Sequence, residues 1–171
     1  MNIDQTQHVR WMSIALEEAR SAAAEGEIPV GCVIVHNDTI IAREHNRVEQ
    51  RQDPTAHAEL LAIQQAARVL RSRRLTDCTL YVTLEPCPMC AGAIVLARIP
   101  VVVFATPDPK AGAVASLYAL LNDPRLNHRC TVVSGIAQDE AASLLKSFFQ
   151  KIRQDKKSGS RKEGENLEPP G

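Results

Sequence analysis

An excess of charge of either sign is missing from this sequence: 20 Lys and Arg stand against 20 Asp and Glu, for a formal net charge of +0. No global field therefore draws the protein toward nucleic acid or an anionic membrane, and a polyanionic partner must be met by a local basic patch. Long apolar runs are absent too. None approaches the roughly 20 residues that a membrane-spanning helix requires, so the expectation is a soluble protein with no membrane partner. Cysteine is limited to Cys32, Cys78, Cys87, Cys90 and Cys130, an odd and unevenly spaced set. The start, Met1-Asn2-Ile3-Asp4-Gln5, has neither the basic region nor the apolar core of a secretory signal. Both points predict a reducing cytoplasm, with thiols that bind metal or fill the core instead of forming a disulfide framework. The H-E-x-x-H spacing of zinc peptidases does not occur either, which excludes that chemistry.

What is present is enough for one well-buried domain, 171 residues of which 44% are hydrophobic. Apolar residues from His8 to Ala24 follow a helical stripe. The β-branched runs Val30–Val35 and Thr39–Ala42 flank His36-Asn37-Asp38 and read as a hairpin. Glu44 to Asp53 is polar and irregular, the kind of loop that carries binding residues. A helix is expected from Ala56 to Leu70, a strand over Thr79–Thr83, a buried helix over Pro88–Ala97 and a strand over Val101–Phe104. A breaker-rich loop follows at Thr106–Gly112, then a short helix at Ser116–Leu121, a last strand at Thr131–Ser134 and a closing helix from Gln138. The alternation of strands and helices predicts a layered α/β fold with partly parallel pairing. Residues 1–154 make the domain; residues 155–171, charged and nearly free of apolar side chains, are expected to be a disordered tail.

Two stretches carry the chemistry, Pro54-Thr55-Ala56-His57-Ala58-Glu59 and Thr83-Leu84-Glu85-Pro86-Cys87-Pro88-Met89-Cys90. A catalytic zinc keeps three protein ligands and leaves a tetrahedral corner for water; His57, Cys87 and Cys90 supply the three, and Glu59 is free to move protons. Each stretch lies at a helix start, where partial positive charge favours thiolate over thiol. Taken alone, Cys-x-x-Cys also fits a redox dithiol or two core cysteines, and Glu59 alone fits a solvated helix residue. The joint pattern removes the rationale for the redox alternative only if both helix tips converge. Residues i and i+2 of a regular helix point apart, so His57 and Glu59 must share a first turn. The combination H-x-E with P-C-x-x-C is the known signature of zinc deaminases acting on nucleobases.

At these residues the chain resembles the cytidine deaminase-like superfamily, and more closely the bacterial tRNA-specific adenosine deaminases. The likeness extends through Ile28-Pro29-Val30-Gly31, Asp53 to Glu59, Leu80 to Gly92, Arg98-Ile99, Val102-Val103-Phe104 and Asn127-His128-Arg129. The resemblance implies a three-layer α/β/α fold with a central mixed five-stranded sheet and a homodimer with one Zn2+ per subunit. It also implies deamination of wobble adenosine to inosine in a tRNA anticodon stem-loop, through zinc-activated hydroxide attack at C6. Carried onto this chain, His57, Cys87 and Cys90 are the ligands and Glu59 the proton shuttle. Asn46 matches the family's pocket asparagine, and Pro29, Val30 and Leu84 wall the base, although all three apolar residues equally suit a core. Asp108 matches a substrate-loop aspartate, here flanked by Pro107 and Pro109. Phe149 and Arg153 on the closing helix correspond to anticodon-loop contacts, with simple packing the alternative for Phe149.

Two other functions remain open on the sequence: a free-base or nucleotide deaminase acting on guanine or cytosine, and a non-catalytic zinc-binding subunit that recruits RNA. The presence of Glu59 speaks against the second. Basic residues gather at Arg68, Arg71, Arg73 and Arg74 and again from Lys146 to Lys162, either as phosphate contacts or as solvated faces.

Overall fold

The computed structural model describes residues 4–164. Helix α1 (Gln5–Ala24) buries His8, Trp11, Met12, Ala15, Leu16, Ala19 and Ala22, a stripe repeating every three or four residues. Two small members of it, Ala15 and Ala19, let the backbone of the next element come close. A Cβ at Gly31 would lie 1.9 Å from the Ala15 carbonyl oxygen, so only glycine fits there. Strands β1 (Gly31–His36) and β2 (Thr39–His45) pair antiparallel. Their two-residue turn holds Asn37 and Asp38 at φ of 49° and 56°, the left-handed backbone that matches the twist of a tight hairpin.

Strand β1 also pairs antiparallel with β3 (Cys78–Leu84), and β4 (Val101–Thr106) and β5 (Thr131–Ser134) add in parallel. The sheet order is β2-β1-β3-β4-β5. Parallel neighbours need a crossover connection, supplied by α4 (Pro88–Ala97) between β3 and β4. One face of the sheet is covered by α1 and α5 (Gln138–Gly164), where Trp11, Met12 and Leu16 meet Val33, Tyr81, Val103, Ile136 and Ala141. The other is covered by α3 (Ala58–Leu70) and α4, where Ala62, Ala66, Ala91 and Ile94 meet Cys32, Ile34, Leu80, Val82 and Phe104. This is the expected three-layer α/β/α arrangement around a mixed five-stranded sheet. Among the described residues no helix is long and apolar enough to cross a membrane.

Three segments differ from the sequence expectation. The polar stretch before the metal motif is not wholly irregular: β2 runs on to His45 and a one-turn helix, α2 (Val48–Arg51), follows. The helix expected at Ser116–Leu121 is a 3-10 turn at Leu120–Asn122, because the N–H groups of Leu117 and Tyr118 reach back to the Gly112 carbonyl and that of Leu120 to Ala113, instead of to the carbonyls four residues earlier. Helix α5 continues past Asp155 to Gly164, into the stretch expected to be a tail; the rest of that stretch lies outside the described residues.

Candidate active site

Helix α3 starts beside the C-terminal end of the central strand β3, and α4 starts just after that same strand end, so two helix tips meet there. His57 is the N-cap of α3 and Cys87 the N-cap of α4. An N-cap residue has extended backbone, and neither side chain makes the usual cap bond, which leaves both turned to a different task. The extended backbone of His57 (φ −77°, ψ 149°) also resolves the geometric requirement on His57 and Glu59, since only Glu59 is inside the helix proper. Pro88 opens α4 at a position where a missing N–H costs nothing, and Cys90 completes the first turn.

The three candidate ligands are brought together. His57 Nδ1 lies 3.6 Å from Cys87 Sγ and 3.6 Å from Cys90 Sγ, and all three atoms fall within 4.8 Å of one another. Zinc bonds of about 2.3 Å to sulfur and about 2.0–2.1 Å to nitrogen, at a tetrahedral angle, place S and N about 3.6 Å apart. Spacing and donor set therefore both fit a zinc ion. Among the described residues no fourth His, Cys, Asp or Glu joins this group, which leaves a corner open.

The charges at the site are strongly perturbed. The hydrogen bond with Cys90 holds the Cys87 thiol down at about 4 against the effect of burial, with His57 assisting. The same bond, with burial, raises Cys90, and Cys87 raises His57. In the metal-free chain Cys87 is thus the thiolate, and a metal entering here must displace the Cys90 proton. Glu59 is buried at 4% exposure. Burial pushes its carboxyl up to about 7, against the bond from its own backbone N–H and the pull of His57. A carboxyl poised near neutrality can both take and return protons.

Asn46 is buried and its Oδ1 accepts from the Ala58 N–H at 2.9 Å. It thereby does for α3 the capping that His57 does not, and fixes the first turn on which His57 and Glu59 sit. The preceding His45 ties this corner to α1, with Nδ1 2.8 Å from Glu18 and Nε2 2.9 Å from Glu25. Val30 belongs to the apolar cluster that includes Ala58 and Ala91, Leu84 packs partly buried against it, and Pro29 is buried. Phe149 meets Phe148 edge-on with centroids 5.6 Å apart, and Arg153 is exposed; both lie on α5, on the sheet face opposite α3 and α4.

Two buried carboxylates escape a sequence reading. Glu85, at 2% exposure, accepts from the N–H groups of Asp108, Val114, Ala115 and Ser116 and from the Ser116 hydroxyl. Burial alone would raise its carboxyl; the bonds from Ser116, Asp108 and Ala115 outweigh it and hold the group at about 2. Glu27 accepts from the N–H groups of Glu49 and Gln50 and so caps α2. The available signal was position: Glu85 stands at a strand end directly before Pro-Cys, and Glu27 directly before Ile28-Pro29.

Asp108 heads the loop that Glu85 holds. Its Oδ1 accepts from the N–H groups of Lys110 and Ala111, and its carbonyl from that of Gly112. Pro107 and Pro109 fit because they fall at exposed positions where this scheme asks for no donor.

Comparison with known proteins agrees with this geometry. The MafB19-like deaminase family matches residues 6–153. The tRNA-specific adenosine deaminase of Bacillus subtilis (strain 168) is 48% identical over 153 residues, 90% of this chain and 95% of that one. A structure from biochemical and structural studies of A-to-I editing by tRNA:A34 deaminases is 45% identical. It has a TM-score of 0.77 and covers 80% of this chain and 99% of that chain. The guanine deaminase of Bacillus subtilis is 44% identical with a TM-score of 0.55, but covers only 57% of this chain and 63% of that one. With the His-Cys-Cys group, the buried glutamate and a likeness that runs nearly end to end, this chain belongs to the MafB19-like deaminase family, alongside the bacterial tRNA-specific adenosine deaminases.

Proposed function

We propose that this chain hydrolyses the 6-amino group of adenosine to give inosine at the wobble position of a tRNA anticodon. The observation that carries the reading is the convergence of one imidazole and two sulfurs at tetrahedral spacing beside a buried carboxyl titrating near 7. Each subunit holds one zinc ion through His57, Cys87 and Cys90. When bound, zinc supplies Lewis-acid activation of water at neutral pH. Glu59 accepts one proton from the attacking water and gives it to ring nitrogen N1; it then takes the remaining hydroxyl proton from the C6 adduct and gives it to the departing amine, so that C6 becomes a carbonyl, ammonia leaves and Glu59 returns to its starting state. Asn46, its Oδ1 engaged with Ala58, turns its amide N–H toward the nucleoside. Pro29, Val30 and Leu84 wall the base, and Asp108 bounds it from the loop.

The target base is extruded from the anticodon loop to reach this pocket, and the specificity of such loops lies in splayed bases stacked and read at their edges. Phe149 and Arg153 meet the loop from α5. The deaminase domain spans residues 1–154, and its place is the cytoplasm, where the tRNA is. A homodimer accounts for α4, whose sequence is apolar on every side and leaves Leu96 76% exposed. A helix hydrophobic all round belongs in an interior.

The likeness to a tRNA deaminase reaches 48% identity over 90% of the chain, whereas a guanine deaminase matched over a comparable span, that of Nitrosomonas europaea, covers 82% of the chain at only 25% identity. The test is to incubate the zinc-loaded protein with total tRNA and sequence the anticodons for inosine. Inosine at the first anticodon position is expected. Turnover of free guanine, with every anticodon unchanged, would end this reading.

A further inference from the structure

Glu85 is a buried carboxylate. Among the described residues no ion pair includes it, and its charge is held by four backbone N–H groups and one hydroxyl. Those donors come from both ends of a single loop: Asp108 at the entrance, at 2.9 Å, and Val114, Ala115 and Ser116 at the exit, at 3.1, 2.7 and 2.9 Å. The loop closes so tightly on the carboxylate that a Cβ on Gly112 would lie 2.3 Å from its Cδ. Neighbouring backbone completes the stitch: the Glu85 N–H donates to Thr106 and the Ala113 N–H donates to Pro86. The next residue is the metal ligand Cys87. A single stretch, 85–87, therefore grips the loop with its first two residues and the metal with its third.

The grip extends along the whole loop backbone. From Asp108 to Tyr118, leaving aside Pro109 and Ser116–Tyr118, each N–H goes to Glu85, to Asp108 or to Pro86; Ser116 goes to Glu85, and Leu117 and Tyr118 to Gly112. Ordinary loops satisfy such groups with water, so an internal anion that collects them fixes the loop's shape. The direction of Asp108 is set by that shape, since one of its oxygens is already committed to Lys110 and Ala111.

We propose that Glu85 is a positioning residue for the reaction: its carboxylate locks the 107–116 loop, with Asp108 at its entrance, in register with the Cys87 side of the metal site. The inference rests on the reading above of that loop as the substrate-side wall. The carboxylate touches neither substrate nor metal; it sets where the substrate-side groups stand relative to the reacting centre.

Glu85→Gln separates this role from bulk folding, because glutamine keeps the size but turns an NH2 toward donors that need an acceptor. The assay uses the full zinc-loaded chain and an anticodon stem-loop RNA carrying adenosine at the wobble position, with Asp108→Asn and the double variant in parallel. Zinc content is expected to stay at one per chain while kcat/KM falls at least tenfold. The double variant should lose no more than the worse single variant, since both act through one loop. Hydrogen exchange of the Asp108 and Val114–Ser116 amides should quicken at least tenfold with β3 and β4 unchanged.

Four results would overturn the proposal: kcat/KM within twofold of wild type, losses that multiply in the double variant, loss of zinc, or exchange that quickens across the whole sheet. Failure of the wild-type chain to deaminate any anticodon would remove the substrate reading instead. Glu85 would then be judged on whether Glu85→Gln frees the loop amides at full zinc content.

Discussion

Replacing Glu59 by glutamine should disable the enzyme and stabilise its metal-free fold, and the second effect has a pH signature. The carboxyl moves from an ordinary 4.5 in the unfolded chain to about 7 in the folded one, chiefly through burial. Below pH 4.5 it is protonated in both states and contributes no difference. As pH rises from 4.5 through 7 the unfolded chain ionises first, so stability is lost, and the loss is complete once the folded group has ionised too. At about 1.36 kcal/mol per pH unit the total is roughly 3 kcal/mol, or about 6–12 °C in Tm for a chain of this size. Glu59→Gln keeps the shape and removes the ionisation. Unfolding curves of the metal-free proteins, followed by circular dichroism in chelator, should therefore coincide near pH 4 and separate by that amount at pH 8, with the variant the more stable. The zinc-loaded variant should bind one metal per chain yet lose about 10²- to 10⁴-fold in kcat, the usual worth of a general acid–base group. A stability gap that does not change between pH 4 and pH 8, or turnover within tenfold of wild type, would refute the assignment.

Cys87→Ser should lower zinc content well below one per chain by metal analysis, because a hydroxyl is a poorer ligand than a thiolate; unchanged stoichiometry would remove Cys87 from the ligand set. Asn46→Asp keeps the Oδ1 acceptor for Ala58 and should hold Tm near wild type while kcat/KM falls, whereas Asn46→Ala should also lose about 1 kcal/mol of helix cap in denaturant titrations. Gly31→Ala would drive a methyl to 1.9 Å from the Ala15 carbonyl. Backbone faces backbone there, so the cost should reach about 3 kcal/mol or more, measured as a drop in Tm of about 6–12 °C.

Most of the frame is legible in the sequence because it is written in periodicity. The α1 stripe and the β-branched runs of β1, β3 and β4 need only their local pattern to be read. The candidate ligands are legible for a different reason: few residue types bind zinc, and H-x-E together with P-C-x-x-C is a recognisable signature. What escapes is whatever depends on a partner outside the local pattern. Helix α2 is capped by Glu27, more than twenty residues earlier in the chain, so nothing local to Val48–Arg51 announces it. The stretch Ser116–Leu121 has helical composition, but the N–H groups of Leu117 and Tyr118 return to Gly112 and that of Leu120 to Ala113, so no regular helix winds there. Asn46 stood out only through the family resemblance, and its bond to Ala58, which fixes the first turn beside the candidate ligand His57, shows only in three dimensions.

The way residues 108–118 spend their donors bears on how this enzyme can change over time. Side chains such as Lys110 point outward and can be exchanged freely, whereas one residue more or fewer would leave a donor stranded or pull Gly112 off its seat. Evolution and protein engineers should both find this segment open to recoding and closed to insertions or deletions, so new preferences for neighbouring bases would arise by substitution at constant length.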